Sequence, residues 1–383
     1  MMKSNFKKMD KLLLVLMLIF TIFGLVMIFS ASSITAVLYN GASESYYFKK
    51  QLFVVIVSWI IGFTVVLKLK TKSYDFLAPA GMIGCLIALI LVLSYGSITN
   101  GSKSWFDLGF VSVQPSEFLK PIMIVYLAVY FDKLLKKKNY NIFLIFVPYV
   151  FIAICLFFIY LQPDLGTDLI IAGIAGIIFM YLPVNTKQMS KIKLGCAILA
   201  VIGLILVFTY SLNSEQSSRM NFRAPCTRYT METGYQVCNG MIAISNGGLF
   251  GVGLGNSTQK YLYLPEAHTD FIFPIVCEEL GAVTGAIVII LYLVLLIRLL
   301  QIARKAGTIK GYIIALGTFA YILLHLLVNF MGILALIPLT GVPVPFLSYG
   351  GSYYLCLIMM LFVCERVVIE SKSEATKKII NSI

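Results

Sequence analysis

The chain has 383 residues, of which 60% are hydrophobic and only 12% charged, with a mean hydropathy of +0.92. So little charge cannot cover a soluble surface of that size, so a soluble globular protein is excluded, and the long unbroken apolar runs exclude a β-barrel. A formal net charge of +13 raises the question of nucleic acid, which the placement of the charges answers below.

A hydrocarbon core of about 30 Å takes roughly 20 apolar residues per helical crossing. By that ruler the spans fall near 12–32, 51–68, 76–95, 117–135, 142–161, 165–183, 192–212, 270–298, 312–336 and 349–369. The expected fold class is an all-α polytopic membrane protein with about ten transmembrane helices, forming one membrane domain over 1–383. The first span lacks a suitably placed small-residue cleavage site and reads as a retained helix. Lys3, Lys7, Lys8 and Lys11 precede it; Lys68, Lys70 and Lys72 follow the second span, and Lys133, Lys136, Lys137 and Lys138 the fourth. Similar groups follow the sixth, eighth and tenth, so 22 of the 30 Lys and Arg fall on one side. The positive-inside rule makes that side, with both termini, cytoplasmic. The basic excess is thus a topology signal with attraction to anionic lipid, and no nucleic-acid partner is expected.

The informative connections all fall outside. The largest, 213–269, is a long extracellular loop between spans seven and eight, and loops of such length tend to be functional. The others are 96–116 and 338–348, the latter an outer re-entrant or tight loop because "LIPLTGVPVPFLSYGGS" carries three prolines and three glycines. No internal repeat is evident. Cys226 and Cys238 share the long loop, where a disulfide is one arrangement open to them; the other six cysteines lie in or beside spans as small apolar residues.

Several polar groups stand out on this face. In "QPSEFLKP", Pro115 and Ser116 start a helix, Glu117 suits its dipole, and Lys120 is three residues on. The plain reading is a capped helix with an ion pair; the functional one places Lys120 near the membrane surface, facing the bundle, where it meets a phosphate. In the long loop, Arg219, Arg223 and Lys260 accompany a glycine-rich run suited to an anion. "EAHTDF" supplies Glu266, His268, Thr269 and Asp270 at the membrane boundary, where a carboxylate has water access and neighbours to tune it. One helical face is expected to carry Asp270, Pro274, Cys277, Glu278 and Gly281, with Pro274 kinking the top of span eight. Glu278 and Glu279 read as structural acids paired with a buried Lys or with backbone donors. Ser348 and Tyr349 offer hydroxyls, Asp164 and Asp168 add acids, and two histidines cannot make a histidine metal site.

Side by side, these stretches resemble the SEDS family (shape, elongation, division and sporulation), and within it the FtsW type. The carrying residues are "GLVMIFSAS" at 24–32, "SWFDLG" with "QPSEFLKP", "QPDLGT", "GVGLGNSTQKYLYLPEAHTDFIF", "EELG" and "LTGVPVPFLSYGGS". They occur in the family's order across nearly the whole chain. The resemblance implies a peptidoglycan glycosyltransferase that polymerises lipid II outside the bacterial cytoplasmic membrane, at the division septum. It also implies a class B penicillin-binding protein as partner, with other division-complex membrane proteins. The family's catalytic aspartate maps onto Asp270 as general base. Lys120, Arg219, Arg223 and Lys260 become candidate pyrophosphate contacts, with Gln114, Glu117, His268, Thr269 and Ser348 lining the substrate. A divalent cation, Mg or Mn, is compatible with a departing pyrophosphate although no ligand set demands it, and no organic cofactor is expected. This sequence departs from the family pattern at 224–233, at Asp168 and at Pro274. Rival expectations are a lipid II flippase, a RodA-type elongation polymerase and a scaffold without activity.

Overall fold

The computed structural model describes residues 6–99, 102–107, 109, 112–137, 139–184, 186–210, 224–228, 232–261 and 263–381. The helices are α1 (Lys11–Asn40), α2 (Tyr46–Ile61, running on into a π turn), α3 (Tyr74–Tyr95), α4 (Pro115–Leu135), α5 (Val147–Tyr160) and α6 (Leu165–Met180). They continue with α7 (Lys187–Tyr210), α8 (Glu232–Asn246), α9 (Ile272–Lys305), α10 (Ile309–Ile333) and α11 (Gly351–Asn381). Among the described residues, seven helical segments are long and apolar enough to cross a membrane: α1, α2 with its π turn, α3, α5 with the turn before it, α9, α10 and α11. The other three expected spans fall on α4, α6 and α7.

The bundle is built around α10 and α11. Their apolar windows are 67% and 89% buried, against 28% for α2, α3 and α5, which face outward. Helix α4 packs between α3 and α10. Its Glu117, Lys120 and Asp132 are buried, so charge turned inward, not exposure to water, is what lowers its hydropathy.

At the end of the bundle that carries both termini, expected from the sequence to be cytoplasmic, ion pairs tie helix ends together. Arg298 of α9 grips Asp10 in front of α1, with Nε 2.9 Å from Oδ2. Lys310 of α10 meets Asp75 of α3 at 2.5 Å, and its backbone N donates to Asp132 Oδ1 of α4 at 3.3 Å. The two ends of the chain meet there as well, with Lys8 Nζ donating to Ser373 Oγ at 2.9 Å.

The opposite end, expected to face outward and called the outer face below, differs from the sequence expectation in three ways. Segment 96–116 carries a small antiparallel sheet, β1 (Ser97–Thr99), β2 (Ser102–Asp107) and β3 (Ser112–Val113), with Ser97 opposite Trp105 and Phe106 opposite Val113. The long loop hides α8, which packs on α9 and is tethered by a Cys226–Cys238 disulfide with Cα atoms 4.9 Å apart. Its hydropathy is too low for a span, which is why an apolar-run ruler passes over it.

The third difference concerns α9. Pro274 sits in its first turn, where a missing N–H is tolerated, and leaves the helix unbroken. The break falls at Gly281, whose φ of 83° and ψ of 168° are non-helical. A helix break strands amides and carbonyls, and the glycine-rich loop satisfies them from both sides. Val252 N and Gly253 N donate to the Glu278 and Glu279 carbonyls, both at 2.9 Å, while Ala282 N and Val283 N donate to the Gly248 and Leu249 carbonyls. The chains approach so closely that a Cβ at Gly281 would lie 2.2 Å from Leu249 O, and one at Gly251 2.2 Å from Glu279 O. Asp270 therefore does not share a helical face with Glu278, because it precedes the helix in a turn.

Gly281→Ala should cost about 2–3 kcal/mol through left-handed strain and this clash. Thermal unfolding in detergent would show it as a lowered Tm, while Gly84→Ala, inside α3 where an added Cβ meets nothing within 4 Å, should not lower Tm and should raise it slightly if anything.

Candidate functional site

Asp270 sits in a tight turn that opens at Glu266, a non-glycine residue held at φ 57°. That geometry lets the Glu266 carbonyl accept from Thr269 N at 3.1 Å, Phe271 N at 3.3 Å and Thr269 Oγ1 at 3.0 Å. Thr269 Oγ1 also lies 2.6 Å from Glu266 Oε2 and 3.2 Å from Asp270 Oδ1. The turn projects the Asp270 carboxylate toward the 338–348 loop, where a methyl added at Gly341 would sit 3.9 Å from Oδ2.

Three clamps hold the turn. Asn329, buried in α10, donates from Nδ2 to the Asp270 carbonyl at 2.7 Å and to the Val342 carbonyl at 2.8 Å. Ser348 Oγ donates to the Thr269 carbonyl at 2.6 Å and accepts from Val344 N at 2.7 Å. Tyr349 N donates to the His268 carbonyl at 2.9 Å. The His268 ring is wedged between Tyr47 and Tyr349, with centroids 4.5 and 5.6 Å away. The 338–348 segment is itself sunk into the bundle: Val342, Val344, Phe346 and Leu347 are buried, and Tyr292 Oη donates to the Pro345 carbonyl.

These surroundings shift two titrating groups. Burial, reinforced by the nearby Glu266 charge, raises the Asp270 carboxyl from 3.8 to about 7. Burial lowers His268, with Glu266 opposing, so the ring is neutral at pH 7. Asp270 is thus a carboxylate poised near neutrality beside a neutral imidazole.

The other candidates from the sequence sit elsewhere. Gln114 lies at the start of α4, donating from Nε2 to Asp164 Oδ2 at 2.8 Å; Asp164 caps α6 by accepting from Thr167 N. Glu117 and Lys120 form a buried pair at 2.7 Å, and Lys120 Nζ also lies 3.3 Å from His325 Nε2. Lys260 Nζ is buried against Glu279 Oε1 at 2.8 Å, with Ser30 Oγ and the Gly255 carbonyl completing its shell. As placed, neither lysine presents its ammonium to the outer surface. Arg219 and Arg223 lie outside the described residues. Asp270, His268, Thr269 and Ser348 form one cluster, then, whereas Lys120 and Lys260 belong to two separate buried networks. Among the described residues no group of three His, Cys, Asp or Glu side chains converges as a metal site.

Asn329 was not singled out by the sequence reading, although a signal existed. A lone Asn in an apolar span, one turn beyond His325 on the same helix face, satisfies the rule that intramembrane polar groups face the interior with a partner. That face of α10 joins the Lys120–Glu117 pair at one level to the Asp270 turn at the next.

The family model for FtsW, RodA and SpoVE cell cycle proteins matches residues 10–373. The chain belongs to that family. It is 33% identical over 382 residues to the probable peptidoglycan glycosyltransferase FtsW of Bacillus subtilis, covering 99% of this chain and 95% of that one. It is 34% identical to the stage V sporulation protein E of the same organism, covering 92% and 95%, and 32% identical to the peptidoglycan glycosyltransferase MrdB of Escherichia coli K12, covering 78% and 80%. The fold matches a chain from a peptidoglycan synthase complex that coordinates polymerization and crosslinking, with TM-score 0.75 at 22% identity, covering 95% of this chain and 98% of that one. It also matches the rod shape determining protein RodA of Thermus thermophilus, at TM-score 0.66 and 21% identity over 94% and 96% of the two chains. As a member of this family the protein is a mostly helical membrane protein.

The raised carboxyl has a stability consequence. A group whose folded pKa lies above its unfolded value contributes stability that is present at low pH and lost as pH rises through about 7. Asp270→Asn is permanently neutral and escapes that loss. The variant should therefore melt higher than wild type at pH 8, with the gap narrowing as pH falls below about 7 and closing only near 3.8; a gap independent of pH would count against burial as the cause.

Proposed function

We propose that this chain is a peptidoglycan glycosyltransferase that polymerises lipid II on the outer face of the cytoplasmic membrane during cell division, with Asp270 as its general base. The observation that carries the proposal is a buried carboxylate held near pH 7 at the outer end of the bundle, in a family whose relatives are named peptidoglycan glycosyltransferases. A base works best when its pKa lies near the working pH, since it is then both ionised and basic enough to accept a proton.

In this scheme the 4-hydroxyl of the acceptor sugar gives its proton to Asp270 Oδ2, the oxygen facing the 338–348 loop. The hydroxyl oxygen attacks the donor anomeric carbon from the face opposite the pyrophosphate. The new C–O bond forms as the old one breaks, and the electron pair leaves with the pyrophosphate, so an α-linked donor gives a β-linked product. Arg219 and Arg223 are the proposed pyrophosphate contacts, because guanidinium matches phosphate oxygens in pairs. Asn329, Ser348 and Tyr349 hold the base in place, and the neutral His268 packs beside it. A divalent cation remains part of the proposal only as a companion of the pyrophosphate, with no step assigned to it. A class B penicillin-binding protein is the proposed partner, and the coordination of polymerization and crosslinking in the structural relative supports that pairing.

Purified protein with its partner and lipid II should yield glycan polymer, and Asp270→Asn should lower the rate by about 100-fold or more, the usual contribution of a general base. The rate should rise with pH through about 7. Glu266→Gln removes a neighbouring negative charge and should move that rising limb to lower pH. Equal polymer from wild type and Asp270→Asn would overturn the assignment of the base.

A further inference from the structure

Residues 247–259 carry no charged side chain. Within them, Leu249, Phe250, Val252 and Leu254 are 65%, 81%, 42% and 53% exposed. Four open apolar side chains within six residues form a contiguous patch of the kind that marks a membrane or partner contact. The patch is also rigidly placed, because its backbone threads the α9 break through the four hydrogen bonds described above.

What lies next to the patch indicates its surroundings. Below the break, α9 exposes Val283, Ile287, Ile290, Leu293 and Ile297, spaced four, three, three and four residues apart. That spacing draws a single apolar stripe down one face of a spanning helix, as expected of a face against acyl chains. Val283 N bonds the Leu249 carbonyl at 3.2 Å, so the loop tip continues the stripe at its upper end. Height agrees with this. Gly281 stands 17 residues above Arg298, about 26 Å at 1.5 Å per residue, which falls inside a hydrocarbon core of about 30 Å measured from the cytoplasmic ion pair. Irregular backbone survives at such depth only where protein satisfies its polar groups, and here loop and helix break satisfy each other. Tyr261 and Tyr263, both exposed, follow the patch in the place where interfacial aromatics belong.

We propose that the tip Leu249–Leu254 is a re-entrant foot seated in the acyl region of the outer leaflet. Its occupant is lipid, continuous with the lipid against α9. The foot anchors the segment that continues through Ser257, Thr258 and Lys260 to the Asp270 turn, and so sets the height of that turn above the bilayer. The proposal rests on the fold and is independent of the transferase reading.

The test uses the full chain with Cys196→Ser, which removes the one free cysteine that is not buried. Nitroxide is attached at Phe250→Cys or Leu254→Cys, with Ile290→Cys as a lipid-facing control and Glu44→Cys as an exposed control in the outer loop between α1 and α2. In phosphatidylcholine–phosphatidylglycerol vesicles, power-saturation spectroscopy compares collisions with oxygen, which enters lipid, and with a water-soluble nickel chelate. The foot predicts oxygen over nickel at 250 and 254, matching position 290 and opposite to position 44. Nickel access equal to that at position 44 would overturn it. Nickel access that disappears on adding the partner protein would also overturn it, and would make the patch a protein-docking surface. Two label positions, each on a side chain already exposed, keep the result readable if one variant folds poorly.

Discussion

Glu278 and Glu279 lie fully buried side by side just above a helix break, and the outer face is arranged around the need to pair them. Glu278 accepts from the Ser257 hydroxyl, from Thr258 Oγ1 at 2.9 Å and from backbone amides at Thr258 and Gln259. Glu279 accepts from Ser30 Oγ of α1 and from Lys260 Nζ. Removing one partner of such a buried pair typically costs about 3–5 kcal/mol, because the remaining charge is left without compensation. The glycine-rich loop is therefore a structural member of the bundle. It supplies donors to both acids and closes the Gly281 break, and both jobs require it to lie directly against α9.

With that loop pinned, the chain between Lys260 and α9 has little freedom, and the Asp270 turn is delivered to a fixed place. There it meets the second irregular segment, 338–348, whose prolines and positive-φ Phe346 keep it from becoming helix. Asn329 bonds a carbonyl from each segment, so it registers one against the other. The site is consequently assembled from two loops held by rigid helices, the arrangement that tolerates a buried carboxylate and turns its Oδ2 toward the 338–348 loop.

Much of this was legible from residue order alone. Long apolar runs located the helices, and Glu278 and Glu279 were read as structural acids, a role that matches their pairing. Other features needed three dimensions. Helix α8 is too polar for a span and too far from its packing partner in sequence to announce itself. Pro274 looked like the kink, yet a proline is harmless in a first turn, while Gly281 breaks the helix because a loop 30 residues earlier needs the space. Lys120 and Lys260 read as phosphate ligands because their carboxylate partners' orientation, inward for both, cannot be inferred from spacing. Asn329 was visible as an odd residue in an apolar helix, but its two carbonyl partners lie in segments that only the fold brings together.

The central claim is that burial beside Glu266 holds Asp270 protonated up to near neutrality, and infrared spectroscopy can read that proton directly. The difference spectrum of wild type minus Asp270→Asn contains the protonated-carboxyl stretch of this one residue. It should titrate away near pH 7. Disappearance near the ordinary aspartate value of 3.8 would mean that the carboxylate is solvated and charged throughout, and would contradict the account.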